Sequence, residues 1–196
     1  MGSAWEFPTS LNIGGVDYDI RTDYRAVLDL FTALSDPELT DEDEQVTAYM
    51  QNRVMLEIMF PQCDDIPLEH MQEALEKVTE FIDMGISDDR KKPKTMDWEQ
   101  DAPILIPAIN RVLNCEIRAQ KHIHWWTFLG AYMEIGESLF SNIVHIRQKK
   151  ASGKKLEKWE QDFYNDNKSL IDFKQKDKRS TEEKDVLRDY FGYKQK

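Results

Sequence analysis

The sequence predicts a mainly α fold: a multi-helix single domain with a small N-terminal β-hairpin packed on the helices. Three observations carry this expectation. Apolar residues recur at spacings of three, four and seven through most of the chain, as helices with one buried stripe require. A period-two alternation marks residues 10–20. Prolines and glycines cut the remainder into segments of helical length. A chain of 196 residues, 40% hydrophobic and 32% charged, is long enough to bury a sizeable core. Residues 1–175 are expected to form the helical domain, and residues 176–196 a charged C-terminal segment, either a short helix or a mobile tail.

In residues 10–20, Leu11 and Ile13 precede Gly14-Gly15, and Val16, Tyr18 and Ile20 then alternate with Asp17 and Asp19. Two glycines supply the positive φ angles of a two-residue hairpin turn, and the alternation turns the aspartates outward. An isolated hairpin is marginal in water, so this one needs helices to lie on. Thr22 or Asp23 can cap a first helix with Val27, Leu28, Phe31 and Leu34 on its buried stripe, stopped by Asp36-Pro37. Thr40 and the acidic residues 41–43 suit the start of a second helix, because carboxylates in a first turn oppose the positive end of the helix dipole. Its apolar face runs through Val46, Tyr49, Met50, Val54, Leu56 and Met59. Pro67 opens a third helix with Leu68, Met71, Leu75, Val78 and Ile82 in register and Gly85 as its C-cap.

Residues 85–97 are polar and read as an exposed, mobile loop. In residues 98–114, Ile104, Leu105, Ile109, Val112 and Leu113 hold helical register, but Pro103 and Pro107 do not both fit one regular helix. The helix either begins near Pro103 and bends or begins near Pro107. Residues 121–147 are the densest apolar stretch and read as one buried helix, its stripe running from Trp125 and Trp126 through Leu129, Tyr132, Met133, Leu139, Phe140, Ile143 and Val144. Ser152-Gly153 ends it. Beyond Lys154 a sparse pattern of Leu156, Trp159, Phe163 and Leu170 remains, and residues 181–193 hold a capping start with Val186, Leu187, Tyr190 and Phe191.

Charge is unevenly placed. Residues 1–90 carry 5 basic against 21 acidic residues, and residues 91–196 carry 21 against 16. An acidic first half repels nucleic acid, so DNA or RNA is not an expected partner. No apolar run approaches the ~20 residues a bilayer span needs. The N-terminus lacks the basic and apolar regions of a signal peptide, which points to the cytosol, and Cys63 and Cys115 then read as reduced thiols.

Catalytic and metal motifs are not found: GxGxxG, GxxxxGK[ST], GxSxG and CxxC do not occur, and no carboxylate pair suits acid–base work. The protein is therefore read as not an enzyme, with no cofactor. His122-Ile123-His124 invites a metal reading with Cys115, Glu134 or His145, but histidines at i and i+2 point to different helix faces, whereas helical metal motifs use i, i+3 or i, i+4. One histidine more naturally caps the helix start while the other is solvated. Trp125 and Trp126 diverge by about 100° around a helix and so suit core packing rather than one ligand cage. The basic run Lys149, Lys150, Lys154, Lys155 and Lys158 reads as a solvated face. Lys154 and Lys155 with Trp159 are candidates for partner docking.

Three phrases occur together and in order: LNIGGVDYDIRTDYR near the N-terminus, WEQDAPILIPAI at residues 98–109, and HWWTFLGAYMEI followed by HIR. They resemble the phage gene-product-fifteen family of Gram-positive siphophages and prophages, whose members carry a glycine turn before "Y-x-I-x-T-D-[FY]-R", an aspartate-led helical phrase, and "H-W-W-x-F" with a later arginine. The matching positions are Thr22, Asp23, Tyr24, Arg25, Asp101, His124, Trp125, Trp126, Phe128 and Arg147. Pro107 and Asn110 depart from the family's usual residues, as does the segment after Lys176. The resemblance implies a cytoplasmic protein of the infected bacterium, a tail assembly chaperone absent from the mature virion, which binds the tape measure protein and, as a further partner, the tail tube protein. It leaves homo-oligomerisation open. Met50, Met55, Met59 and Met71 would then offer an adaptable surface to apolar helices. The alternatives are a structural tail or neck component of the virion, or a phage protein that meets host defence.

Overall fold

The computed structural model describes residues 5–36, 39, 43–86 and 93–174. The fold is mainly α with a two-stranded antiparallel hairpin near the N-terminus, and the described residues hold eight α-helices. They divide into two compact units whose segments interleave along the chain: Pro8–Arg21 with Arg25–Phe81, and residues 5–7 and Thr22–Tyr24 with Ile82–Lys174.

The first unit opens with β1 (Ser10–Ile13) and β2 (Val16–Asp19), paired so that Ile13 faces Val16 across the turn. Gly14 and Gly15 have φ of 57° and 84°, the left-handed conformation that a two-residue hairpin turn requires and that glycine adopts without cost. The hairpin is tied to the helices as its marginal stability demands. Gly14 N–H donates to Glu73 Oε2 at 2.9 Å, and the Tyr18 hydroxyl donates to the Asp65 carbonyl. Ile13 and Ile20 are buried, while Val16 is 54% exposed. The inward face therefore begins on β1 rather than at Val16.

Helix α1 (Tyr24–Leu34) buries Val27 and Leu30 completely, so the stripe centres one residue before Phe31. Helix α2 (Glu44–Met59) starts later than the acidic run suggests. Its N-cap is Asp43, whose carboxylate accepts from Gln45 N–H at 2.8 Å, and Thr40 lies outside the described residues. Val46, Met50, Val54, Leu56 and Met59 are buried, but Tyr49 is half exposed. After a 3₁₀ turn at Leu68–His70, helix α3 (Met71–Ile82) buries Ala74, Val78 and Phe81. Leu68 is 89% exposed because it sits in that 3₁₀ turn, outside the register of the helix proper.

In the second unit, α4 (Ala102–Leu113) begins beside Pro103, in the first turn where a missing N–H costs nothing, and carries Pro107 within it. Asn114, at φ 52°, ends the helix in the left-handed conformation. Asn110 then holds the following turn, its amide donating to Glu116 and its carbonyl oxygen accepting from Ile117 N–H.

The long apolar stretch forms two helices, not one: α5 (Trp125–Met133) and α6 (Leu139–Ala151). Ser138 explains the break. Its Oγ accepts from Ser141 N–H at 3.0 Å while its own N–H donates to Ser141 Oγ at 2.9 Å, a reciprocal cap that starts a new helix. Met133 and Leu139, at the two ends, are consequently exposed. Helices α7 (Lys158–Asp166) and α8 (Lys168–Ile171) follow. Ile143 and Ile146 of α6 pack with Ile171 of α8, and Ile104, Leu156, Phe163 and Leu170 lie against them. Residues 175–196, including the expected segment 181–193, lie outside the described residues, as do residues 87–92 of the polar loop.

Candidate functional site

Residues 22–24 and residues 123–125 meet as a short antiparallel bridge within the second unit, although about a hundred positions separate them. Tyr24 N–H donates to the Ile123 carbonyl at 2.9 Å and Trp125 N–H to the Thr22 carbonyl at 2.7 Å. Side chains reinforce the bridge. Asp23 Oδ2 accepts from Ile123 N–H at 3.0 Å, and Thr22 Oγ1 lies 3.0 Å from His122 Nε2. The N–H groups of Ile123 and Trp125 and the Ile123 carbonyl, just before and at the start of α5, are thus all engaged.

His124 caps α5. Its Nδ1 accepts from Trp126 N–H at 3.1 Å, which makes the neutral ring with its proton on Nε2 the tautomer that serves. Phe7 stacks on the imidazole with ring centroids 4.4 Å apart, and Trp126 meets it edge-on. His122 and His124 thus turn to different partners, and both precede α5, so the face argument for two histidines on one helix does not apply to them. Among the described residues, no group of three or more His, Cys, Asp or Glu is placed to hold a metal ion.

Behind the cap lies an aromatic core. Trp125, 1% exposed, stacks on Phe128, which stacks in turn on Tyr24 at 4.8 Å. Trp98 packs against Trp125, Phe128 and Tyr132. The Trp125 indole N–H donates to the Ile82 carbonyl at 2.8 Å, so this large ring is buried with its polar atom satisfied. Burial raises the pKa of the Tyr132 phenol above its ordinary value. Trp126 is only half-buried.

A second cluster joins Asp101 and Arg147, both buried. Arg147 Nη1 and Nη2 donate to the two carboxylate oxygens of Asp101 at 2.6 and 2.9 Å. Nε donates to the Ile171 carbonyl, Nη2 also to Leu170 and Nη1 also to Thr95. Phe173 covers the guanidinium with its centroid 4.2 Å away. Asp101 in turn accepts from Asp97 N–H. The pair therefore fastens the chain before α4 and the end of α8 to the middle of α6.

A third charged group is one that composition hides. Glu160 sits inside the lysine-rich region yet is 1% exposed. It accepts from Lys149 Nζ at 2.7 Å, from Glu157 N–H at 2.6 Å, and lies 2.9 Å from His145 Nε2. The Lys149 hydrogen bonds, above all, hold its carboxyl down to about 2. Lys150 likewise pairs with Asp172, and the Tyr164 hydroxyl donates to that same carboxylate. The one sequence signal for Glu160 is its place three residues after Glu157, where its carboxylate reaches back to the helix start.

Of the positions shared with the family phrases, Thr22, Asp23, Tyr24, His124, Trp125 and Phe128 converge on the bridge and its aromatic core, with Trp126 at the edge. Asp101 and Arg147 form the ion pair. Arg25 belongs to the other unit, half-buried. The proposed methionine surface is corrected: Met50 and Met59 are buried, because the α2 face that carries them points into its unit, and Met55 and Met71 are half-buried. Lys154 and Lys155 are exposed, and Trp159 is 53% exposed. Sequence reasoning missed Phe7 and Trp98, whose neighbours are far away in the chain.

The described residues also include a shallow groove of about 270 Å³, lined by Pro103, Ile104, Pro107, Ala108 and Arg111 of α4 and by Ser138 and Leu139 at the start of α6. No helix among the described residues is long and apolar enough to cross a membrane.

Compared with known proteins, the chain matches a family model described as bacteriophage Gp15 protein over residues 6–173. That span contains the bridge, the ion pair and Glu160. Neither the curated proteins nor the solved structures give a match.

Proposed function

The chain belongs to the bacteriophage Gp15 protein family, and from that premise we propose that it is a non-enzymatic tail assembly chaperone. In this reading it binds the tape measure protein in the cytoplasm of the bacterial host, keeps that long apolar helix dispersed while tail tube subunits polymerise, and is absent from the mature virion. The tail tube protein is a second partner.

The observation that supports a binding role is how buried charge is used. Asp101, Arg147 and Glu160 are each matched by partners inside the fold, so these side chains hold helices together instead of waiting for a substrate. Apolar side chains that do reach solvent, among them Leu139, Met133 and Trp159, offer contact surface of the kind a helical client needs. A net charge of −11 favours keeping such a complex in solution.

Co-expression with the tape measure protein of the same phage tests this. The tape measure protein should stay soluble and co-purify with the chain, and mass spectrometry of purified particles should not find the chain. A tape measure protein that remains insoluble and unbound would sink the reading. Stoichiometric presence in particles would instead favour a tail or neck component.

A further inference from the structure

The groove between α4 and the start of α6 is floored by Ile104 and Ala108, which also belong to the packed interior, and is open to solvent above them. Pro103, Pro107 and Arg111 recur every four residues and so form one row along α4. Ile104 and Ala108 form the next row, and Leu139, 43% exposed, stands opposite. Pro107 has no N–H to give the carbonyl of Pro103, which leaves that acceptor without its helical donor. Ser138 is already committed to its reciprocal cap with Ser141. Arg111 is held at the rim by one hydrogen bond, from Nη2 to the Glu137 carbonyl at 2.9 Å, and no carboxylate pairs with it among the described residues.

At about 270 Å³ the groove falls just below the ~300–1,000 Å³ of small-molecule sites. It has the right scale for one row of apolar side chains. Its apolar walls and the Arg111 guanidinium at the rim suit a partner that presents a few apolar residues and one carboxylate. That is the face of an amphipathic helix.

We propose that this groove seats a helix of the client, with apolar side chains between Ile104, Ala108 and Leu139 and a client carboxylate on Arg111. The proposal rests on the chaperone reading and assigns it a contact surface. Local pairing at Arg111 then selects which stretch of a long apolar helix is held.

The test uses the full chain co-expressed with the tape measure protein, as wild type, Arg111→Glu and Leu139→Asp. Aspartate in the first turn of α6 suits the helix dipole, so Leu139→Asp is expected to fold. Circular dichroism should match wild type for both variants, with Arg111→Glu melting slightly lower because it loses its bond to the Glu137 carbonyl and the favourable charge in the last turn of α4, while recovered tape measure protein should fall at least tenfold. A photo-crosslinking residue at 139 should trap the client, and one at Glu76 on α3 should not. Should wild type and both folded variants hold the client equally, the groove is overturned and the chaperone reading stands. If wild type itself fails to hold the client, the chaperone reading fails and takes the groove's occupant with it. A wild-type dimer that Leu139→Asp converts to monomer, with client recovery unchanged, would assign the groove to a second copy and overturn the proposal.

Discussion

Arg147 meets Asp101 through two parallel hydrogen bonds, at 2.6 and 2.9 Å, and gives its remaining N–H groups to the carbonyls of Thr95, Leu170 and Ile171. Every donor of the planar fork is matched inside the protein. Lysine offers no such fork, so Arg147→Lys is not conservative here. Removing one partner leaves a buried charge uncompensated: Asp101→Ala or Arg147→Ala should cost about 3–5 kcal/mol, read from denaturant melts. Replacing both with apolar residues of similar volume should cost much less than the sum of the single changes. Additive losses would show that the two residues do not act as a pair.

The aromatic core gives a graded expectation. Trp125→Ala should destabilise by roughly 3–5 kcal/mol, the usual cost of emptying a large buried site. Trp125→Phe keeps the stack on Phe128 but strands the Ile82 carbonyl, and should cost about 1–3 kcal/mol. Trp126→Ala, at a half-buried position, should cost clearly less than Trp125→Ala. Equal losses at the two positions would contradict the burial seen here.

Gly14 has a φ of 57°, and a Cβ placed there would lie 2.5 Å from His70 Nε2. Gly14→Ala should cost about 1–2 kcal/mol from the backbone conformation alone, plus whatever it takes to displace the ring. In a His70→Ala background the second part vanishes and the first remains. Melting curves of the two single variants and the double variant separate them.

Acid stability should depend on Glu160. Its carboxyl is held at about 2, below its ordinary value of 4.5, chiefly by Lys149. A depressed carboxylate contributes stability that is fully present above pH 4.5 and is lost as pH falls towards 2. Denaturation measured across that window should show wild type losing more stability than Glu160→Gln, because glutamine has no charge to lose. Asp172, lowered chiefly by its hydrogen bond with Lys150, contributes to both proteins alike and cancels in the comparison. Parallel curves would refute a role for Glu160.

Local signals made the hairpin, most helix positions and the first alternative for α4 legible, since turn glycines, apolar spacing and a proline in a first turn act over a few residues. The split of the long apolar stretch was less visible, because Ser138 and Ser141 are weak individually and cap only as a reciprocal pair. Burial of Met50 and Met59 was legible in the apolar stripe of α2 that carries them, and the expectation of an adaptable methionine surface, drawn from the resemblance, ran against that stripe. The family phrases marked Asp23 and His124 without saying that they meet. A contact across a hundred residues leaves no periodic trace, and neither does the stacking of Phe7 on His124. Glu160 hid in a lysine-rich segment because composition averages over the ion pairs that bury it.

The bridge between residues 22–24 and 123–125 also bears on how the polypeptide leaves the ribosome. Residues 22–24, like Phe7, are made early yet belong with a unit whose main part is translated last, and at ~5–20 residues per second the wait for residues 123–125 is about 5–20 seconds. Through that interval Tyr24 and Asp23 are without their mates, while α1 to α3 are translated and completed before residue 123 is reached. Slow codons or a bound chaperone within residues 25–123 would therefore alter the yield of properly clasped molecules more than the same change placed after residue 128.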